Sequence, residues 1–131
     1  MMLLDTQAAL RLVIRPRRLS RAAASAISRA RTGEGLAIAS VTLMELAQML
    51  AAGRIRSTGT PQAWLRDFLD RTGVAVKEVE VDNASVAAHL PGRFPSDPFD
   101  RLIAATAMVE RMALVTSDQR IQDSAVVRTI W

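Results

Sequence analysis

Five short β-prone runs recur along the chain, at residues 1–4, 36–39, 74–81, 113–115 and 126–131. Helix-patterned stretches fill the gaps between them. Residues 8–14 form an apolar helical stretch that Pro16 stops. Residues 20–31 read as a helix with Ser20 as N-cap and Ala22, Ala23, Ala26, Ile27 and Ala30 on one face. Residues 42–52 close at Gly53, and residues 61–71 place Trp64, Leu65, Phe68 and Leu69 inward before Gly73. A short helix over 82–90 precedes a Pro- and Gly-rich loop at 91–96. Residues 97–111 carry Leu102, Ile103, Thr106 and Ala107 at helical spacing. A turn of helix starts at Asp118. Strands that alternate with helices in this way predict an α/β fold with a mostly parallel sheet covered on both faces. The length, 131 residues, suits one domain over 1–131.

Composition narrows the chemistry. There is no cysteine and one histidine, which excludes a disulfide scaffold, a thiolate zinc site and a cysteine nucleophile. His89 stands alone near a helix end, where a structural role fits better than ligation. The longest uncharged stretches, 35–44 and 83–92, are ten residues each, against about 20 for a membrane span. Asp5 and Arg11 interrupt the apolar start, so a signal peptide is not expected and a cytoplasmic location is. Sixteen of the seventeen cationic residues are Arg, and Lys77 is the only Lys. Residues 1–31 hold seven Arg and one acid. Such a surplus suits a polyanionic partner, though Arg-rich codon usage would leave the same mark.

Acids end the apolar runs. Asp5 closes the first and Asp118 the fourth. Glu45 follows the second, and Asp97 and Asp100 open the long helix. Each has a structural alternative. Thr42-x-x-Glu45 matches a capping box, and Asp97-Pro98 matches an N-cap with proline after it. Asp5 and Asp118 would also serve as caps. Taken together they fall on one edge of the inferred sheet, where ligand sites of such folds lie. Convergent carboxylates raise one another's pKa unless a cation joins them. Mg²⁺ takes oxygen ligands and keeps several waters, so an acidic cup suits it. That chemistry cleaves phosphodiesters without histidine or cysteine.

The blocks LLDT (3–6), SVTLMELA (40–47), DPFDRLIAATA (97–107) and LVTSD (114–118), with the ending VVRTIW, lie in a specific order. In that order the chain resembles PIN-domain ribonucleases, and among them the VapC-type toxins of type II toxin–antitoxin pairs. The resemblance implies a three-layer α/β/α sandwich with four to five mostly parallel strands. It implies Mg²⁺ or Mn²⁺ held by Asp5, Glu45, Asp100 and Asp118, with Asp97 beside them and the Thr6 and Thr116 hydroxyls nearby. It implies endoribonuclease activity on RNA with a metal-activated water. It also implies a homodimer and a VapB-type antitoxin partner whose tail occupies the active-site groove. Many relatives carry His after the Asp-Thr pair and Trp a few residues on; here those places are Gln7 and Arg11. Gln7 hydrogen-bonds but does not titrate.

Other residues admit two readings. Arg101 is either a solvated helix arginine or the partner of an acid near the cup. Arg15, Arg17 and Arg18 surround Pro16 and are candidates for phosphate contact, or simply a solvated turn. Trp64 and Phe68, at i and i+4, fit a core or interface better than a base-stacking platform. Two rival functions stand beside the nuclease. One is a module of the same fold that binds RNA or antitoxin without cutting. The other is an aspartyl phosphotransfer domain, which needs an acidic pair beside the acceptor and a lysine at a later strand end; Lys77 is the only lysine and lies within the third strand region, so this reading ranks low.

Overall fold

The computed structural model describes residues 1–131. Its strands are β1 (Met2–Leu4), β2 (Leu36–Ala39), β3 (Ala75–Lys77), β4 (Ala113–Val115) and β5 (Thr129–Ile130). They form one five-stranded sheet in the order β3-β2-β1-β4-β5. Every pairing is parallel. Parallel neighbours need crossover connections, and seven helices supply them. These are α1 (Thr6–Arg11), α2 (Arg21–Thr32), α3 (Ser40–Ala51), α4 (Pro61–Thr72), α5 (Val81–Ala88), α6 (Pro98–Val109) and α7 (Gln119–Ser124).

Strand periodicity sorts the apolar residues into two cores, one on each face. Leu4 pairs in register with Ile38 and Val115. Those three pack with Ala8, Ala9, Ile27, Leu46 and Phe68 from the first four helices. One residue back, Leu3 pairs with Ala37 and Leu114. These pack with Ile103, Ala104 and Ala107 of α6 and Ile121 of α7. The result is the expected three-layer α/β/α arrangement. Alanines at 37, 39, 104 and 107 are fully buried, so α6 lies close against the sheet. No helix is long and apolar enough to cross a membrane.

Several element boundaries differ from the sequence reading. The run 74–81 is strand only over Ala75–Lys77. Glu80 and Asn83 then form a reciprocal capping box that starts α5 at Val81. Val81 is left 84% exposed, so a polar cap overrides β-branched propensity here. The first helix starts at Thr6 rather than 8, because Asp5 accepts the Ala8 N–H at 2.7 Å. It ends at Arg11, and Pro16–Arg18 form a separate 3₁₀ turn. Ser20 caps α2 as expected, but Ala22 faces solvent while Ala23, Ala26 and Ile27 are buried. The last strand shrinks to two residues. Lys77 does lie in the third strand, where it pairs with Glu110 at 3.7 Å.

Phe68 is buried and stacks on Trp64 with centroids 5.6 Å apart, so this pair belongs to the core. His89 caps α5 and its Nδ1 lies 2.8 Å from the Ser85 carbonyl. Both fit the structural readings above.

Candidate active site

β1 is the central strand, and the chain winds outward from it in both directions. Its carboxyl end is therefore the switch point at which open α/β sheets bind ligands. A cavity of about 330 Å³ opens there, lined by Asp5, Thr6, Gln7, Glu45, Asp100, Ile103, Ser117, Asp118 and Arg120. Four carboxylates from four distant segments thus share one space.

Each carboxylate is fixed by its element. Asp5 follows β1 directly; its own N–H bonds to the Val115 carbonyl at 3.0 Å, and its side chain caps α1. It is buried, and burial pushes its carboxyl above the usual aspartate range. The Thr116 hydroxyl, the Ala8 N–H and the Arg11 charge oppose that shift. Glu45 lies in the second turn of α3. The Thr6 hydroxyl donates to its Oε1 at 2.6 Å, and the Thr42 hydroxyl sits 3.0 Å from Thr6. One hydroxyl has one proton, so Thr42 donates to Thr6 and Thr6 to Glu45. The capping box suggested by Thr42-x-x-Glu45 is absent. The helix begins earlier, with Ala39 as its N-cap and no side-chain cap.

Asp100 sits in the first turn of α6. Burial, with the charges of Asp97, Glu45 and Asp118, pushes its carboxyl up to about 6. Glu45 is also raised, first by burial and then by Asp97 and Asp5. Asp118 behaves oppositely. Arg120 grips it from 2.8 and 3.2 Å and holds it below the usual range. Asp97 is exposed and does not line the cavity. Its Oδ1 caps α6 by accepting the Phe99 and Asp100 N–H groups. Thr116 is buried and accepts the Asp118 N–H at 3.1 Å.

No three His, Cys, Asp or Glu side chains, as they are placed, stand close enough together to hold a metal ion between them. The site is an open acidic cup. Its donors are all oxygens, and Mg²⁺ needs only one or two direct carboxylates with water completing its shell. The donor set therefore fits a hard divalent cation.

A model of the PIN domain matches residues 2–127. The chain belongs to the PIN-domain family. Ribonuclease VapC22 of Mycobacterium tuberculosis (strain ATCC 25618 / H37Rv) is 36% identical over 131 residues, 98% of this chain and 97% of that one. The PIN domain here is therefore of the VapC type. Solved structures agree on the fold. VapBC2 from Rickettsia felis, bound to a DNA fragment from its promoter, aligns with a TM-score of 0.73 at 17% identity, covering 98% of this chain and 96% of that one. FitAcB from Neisseria gonorrhoeae aligns at 0.67 with 20% identity, covering 98% and 96%.

Not every residue singled out in the sequence reaches the cup of this PIN domain. Arg101 points away. Its Nη1 donates to the Ala87 and Leu90 carbonyls at 3.4 and 3.5 Å, and its guanidinium lies 6.0 Å from the Phe94 ring centroid. Half-buried, it straps α6 to the end of α5 and is not paired with a site acid. Arg15 and Arg18 line a second cavity, of about 410 Å³, with Gln7, Leu10, Arg11, Ile14, Arg54, Ile55 and Arg56. Arg17 does not line it. Arg120, Arg54 and Arg56 went unnoticed in the sequence. The signal for the first was its place two residues after Asp118. For the others it was the Arg-Ile-Arg alternation after Gly53.

Proposed function

We propose that this VapC-type PIN domain is a divalent-metal-dependent endoribonuclease, the toxin of a toxin–antitoxin pair. The observation that carries the reading is the cavity at the carboxyl end of β1, where Asp5, Glu45, Asp100 and Asp118 meet. Burial and mutual repulsion hold three of these four above their ordinary pKa values. A cup in that condition is short of positive charge.

Asp5, Glu45, Asp100 and Asp118 would hold Mg²⁺ or Mn²⁺, with the exposed Asp97 adding to the negative field. The ion supplies charge compensation for the phosphodiester oxygens and a water of lowered pKa. The rest falls to this chain's side chains. Thr6, backed by Thr42, orients the Glu45 carboxylate. Thr116 steadies Asp5 and anchors the backbone at Asp118. Asp100 gives up its proton near pH 6, so it is ionised and able to bind a cation at neutral pH. Arg120 offsets the charge of Asp118 and offers a guanidinium at the rim, suited to a phosphate oxygen.

Solved relatives of the same fold include a toxin–antitoxin complex from Klebsiella pneumoniae and VapBC-5, of a toxin–antitoxin family, from Mycobacterium tuberculosis, which supports a VapB-type antitoxin as partner; a homodimer as the toxin's own state is part of the same proposal. The deciding experiment measures RNA cleavage by the purified chain with Mg²⁺, with EDTA, and for Asp5→Asn and Asp100→Asn. Cleavage that needs Mg²⁺ and falls by two or more orders of magnitude in both variants is expected. Asn preserves the cap at position 5, so folding by circular dichroism is retained. Wild-type cleavage by Asp100→Asn would sink the site assignment.

A further inference from the structure

The second cavity has a composition unlike the rest of the surface. Five of its nine lining residues are arginines (Arg11, Arg15, Arg18, Arg54 and Arg56), and none is acidic. They come from two segments far apart in sequence, the end of α1 with its following turn and the loop after α3. None of the five donates to a carboxylate. The groove floor is apolar, made by Leu10, Ile14 and Ile55. Gln7 lines both this groove and the acidic cup, so the two spaces are neighbours on one surface.

Two local features hold the arginines in place. The Arg11 guanidinium lies 5.0 Å from the Trp131 ring centroid and donates to the Arg18 carbonyl at 3.3 Å. Arg15 adopts a left-handed backbone, φ 56° and ψ 57°. For a residue with a Cβ that conformation costs about 1–2 kcal/mol, and such strain concentrates at functional sites. Arginines without an ion-pair partner, crowded around one groove, also repel each other, and that cost is met when an anion occupies it.

We propose that this arginine groove seats one unstacked nucleotide of a single-stranded RNA, next to the phosphate held over the acidic cup. The guanidinium forks take the phosphates on either side of that nucleotide. The base lies on the apolar surface of Leu10 and Ile14, flanked by guanidinium planes of the kind that stack on bases. A cavity of about 410 Å³ lies at the small end of ligand pockets, which suits one nucleotide and not a helix. A duplex keeps its bases stacked and offers only backbone. The assignment rests on the nuclease reading above and adds where the strand runs and in what form.

The test is fluorescence anisotropy with the full chain in EDTA, so that nothing is cut. The probes are a short labelled single-stranded RNA, the same RNA annealed to its complement, and a polyglutamate peptide. Binding is followed from about 50 to about 200 mM salt. Single-stranded RNA is expected to bind at least tenfold more tightly than the duplex. Arg54→Ser with Arg56→Ser is expected to weaken it tenfold or more, and to reduce the log–log salt slope by about 0.7 for each phosphate no longer neutralised. Arg31→Ser with Arg66→Ser, exposed and outside the groove, should change neither. An unchanged affinity and slope in the Arg54/Arg56 variant overturns the proposal, as does equal binding of duplex. Loss of polyglutamate binding alone, with RNA unmoved, gives the groove to an acidic protein and also overturns it. Mg²⁺-dependent cleavage of RNA by the wild-type chain is scored separately. Its absence removes the nuclease reading, whereas failure of the arginine variants removes only the groove.

Discussion

Replacing Asp100 by Asn should make the metal-free protein more stable while removing its activity. Burial, then the charges of Asp97 and Glu45, lift the Asp100 carboxyl from an ordinary 3.8 to about 6. In the unfolded chain it ionises near the ordinary value. Between the two, the folded protein keeps a proton that the unfolded chain has released. Folding stability therefore falls as pH rises from about 4 to about 6, and stays reduced above that. A carboxylate with a depressed pKa would give the opposite slope. Converted in full, the shift is worth about 3 kcal/mol at about 1.4 kcal/mol per tenfold change. Asp100 is only half buried, and solvent screening reduces this to about 1–2 kcal/mol. Asparagine keeps the shape and removes the charge, so it recovers that amount. Urea unfolding in EDTA, followed by the fluorescence of Trp64 and Trp131, measures it. At about pH 8 the variant's midpoint should rise by about half a molar or more, given urea slopes of about 1–3 kcal/mol per molar. At about pH 4 the two proteins should coincide, because the wild-type carboxyl is then protonated in the folded state. Saturating Mg²⁺ should stabilise the wild type more than the variant, since only a ligand that prefers the folded state raises its stability. A variant no more stable at about pH 8, or equally more stable at both pH values, would refute the electrostatic account of the cup.

Two further substitutions separate the site from its surroundings. Thr6→Val removes the hydroxyl that links Thr42 to Glu45. It leaves a buried Thr42 proton without an acceptor, at a cost of about 1–3 kcal/mol by urea unfolding, and cleavage should drop at least tenfold because Glu45 loses its positioning donor. Arg101→Met keeps the aliphatic stem but loses the bonds to the Ala87 and Leu90 carbonyls. Stability should fall by about 1 kcal/mol while Mg²⁺-dependent cleavage stays within about twofold; a loss of cleavage without loss of stability would return Arg101 to the site.

The fold was readable because the strands end where polar residues begin. Both faces of a parallel sheet are covered, so its strands are continuous apolar runs. Leu36–Ala39 meets that condition at every residue and was located to the residue. The run 74–81 was not, because valines at 79 and 81 look like strand while the deciding pair, Glu80 and Asn83, acts through caps. Long-range polar contacts were beyond reach. Nothing local in Thr6 or Glu45 announces a bond across 39 positions. Thr42-x-x-Glu45 suggested a cap because three-residue spacing is all that a sequence displays. Arg101 was ambiguous for the same reason. Whether an arginine turns toward a carboxylate or toward a helix end depends on how α5 packs on α6.

The structural and functional readings of the acids were set against each other in the sequence, and the fold makes them compatible. A parallel α/β sheet delivers helix starts to the carboxyl ends of its strands. Asp5, Asp97 and Asp118 are all N-caps, each accepting backbone N–H groups at such a start. An ionised carboxylate has about four lone-pair sites, so one or two N–H bonds do not exhaust it. The caps fix the rotamers, and the positive ends of the helices favour the negative charge. Glu45 and Asp100 have no cap of their own, and they are held above their ordinary pKa by their neighbours as well as by burial. Asp118, with a helix start and Arg120 both acting on it, is the one lining acid that is lowered. The cup thus combines one acid, Asp118, whose charge the fold has already met with three, Asp5, Glu45 and Asp100, whose charge it has left unmet. That unmet charge is what a divalent cation would answer, and it is why Asp100, rather than a capping aspartate, is the position where stability and cleavage should part most clearly.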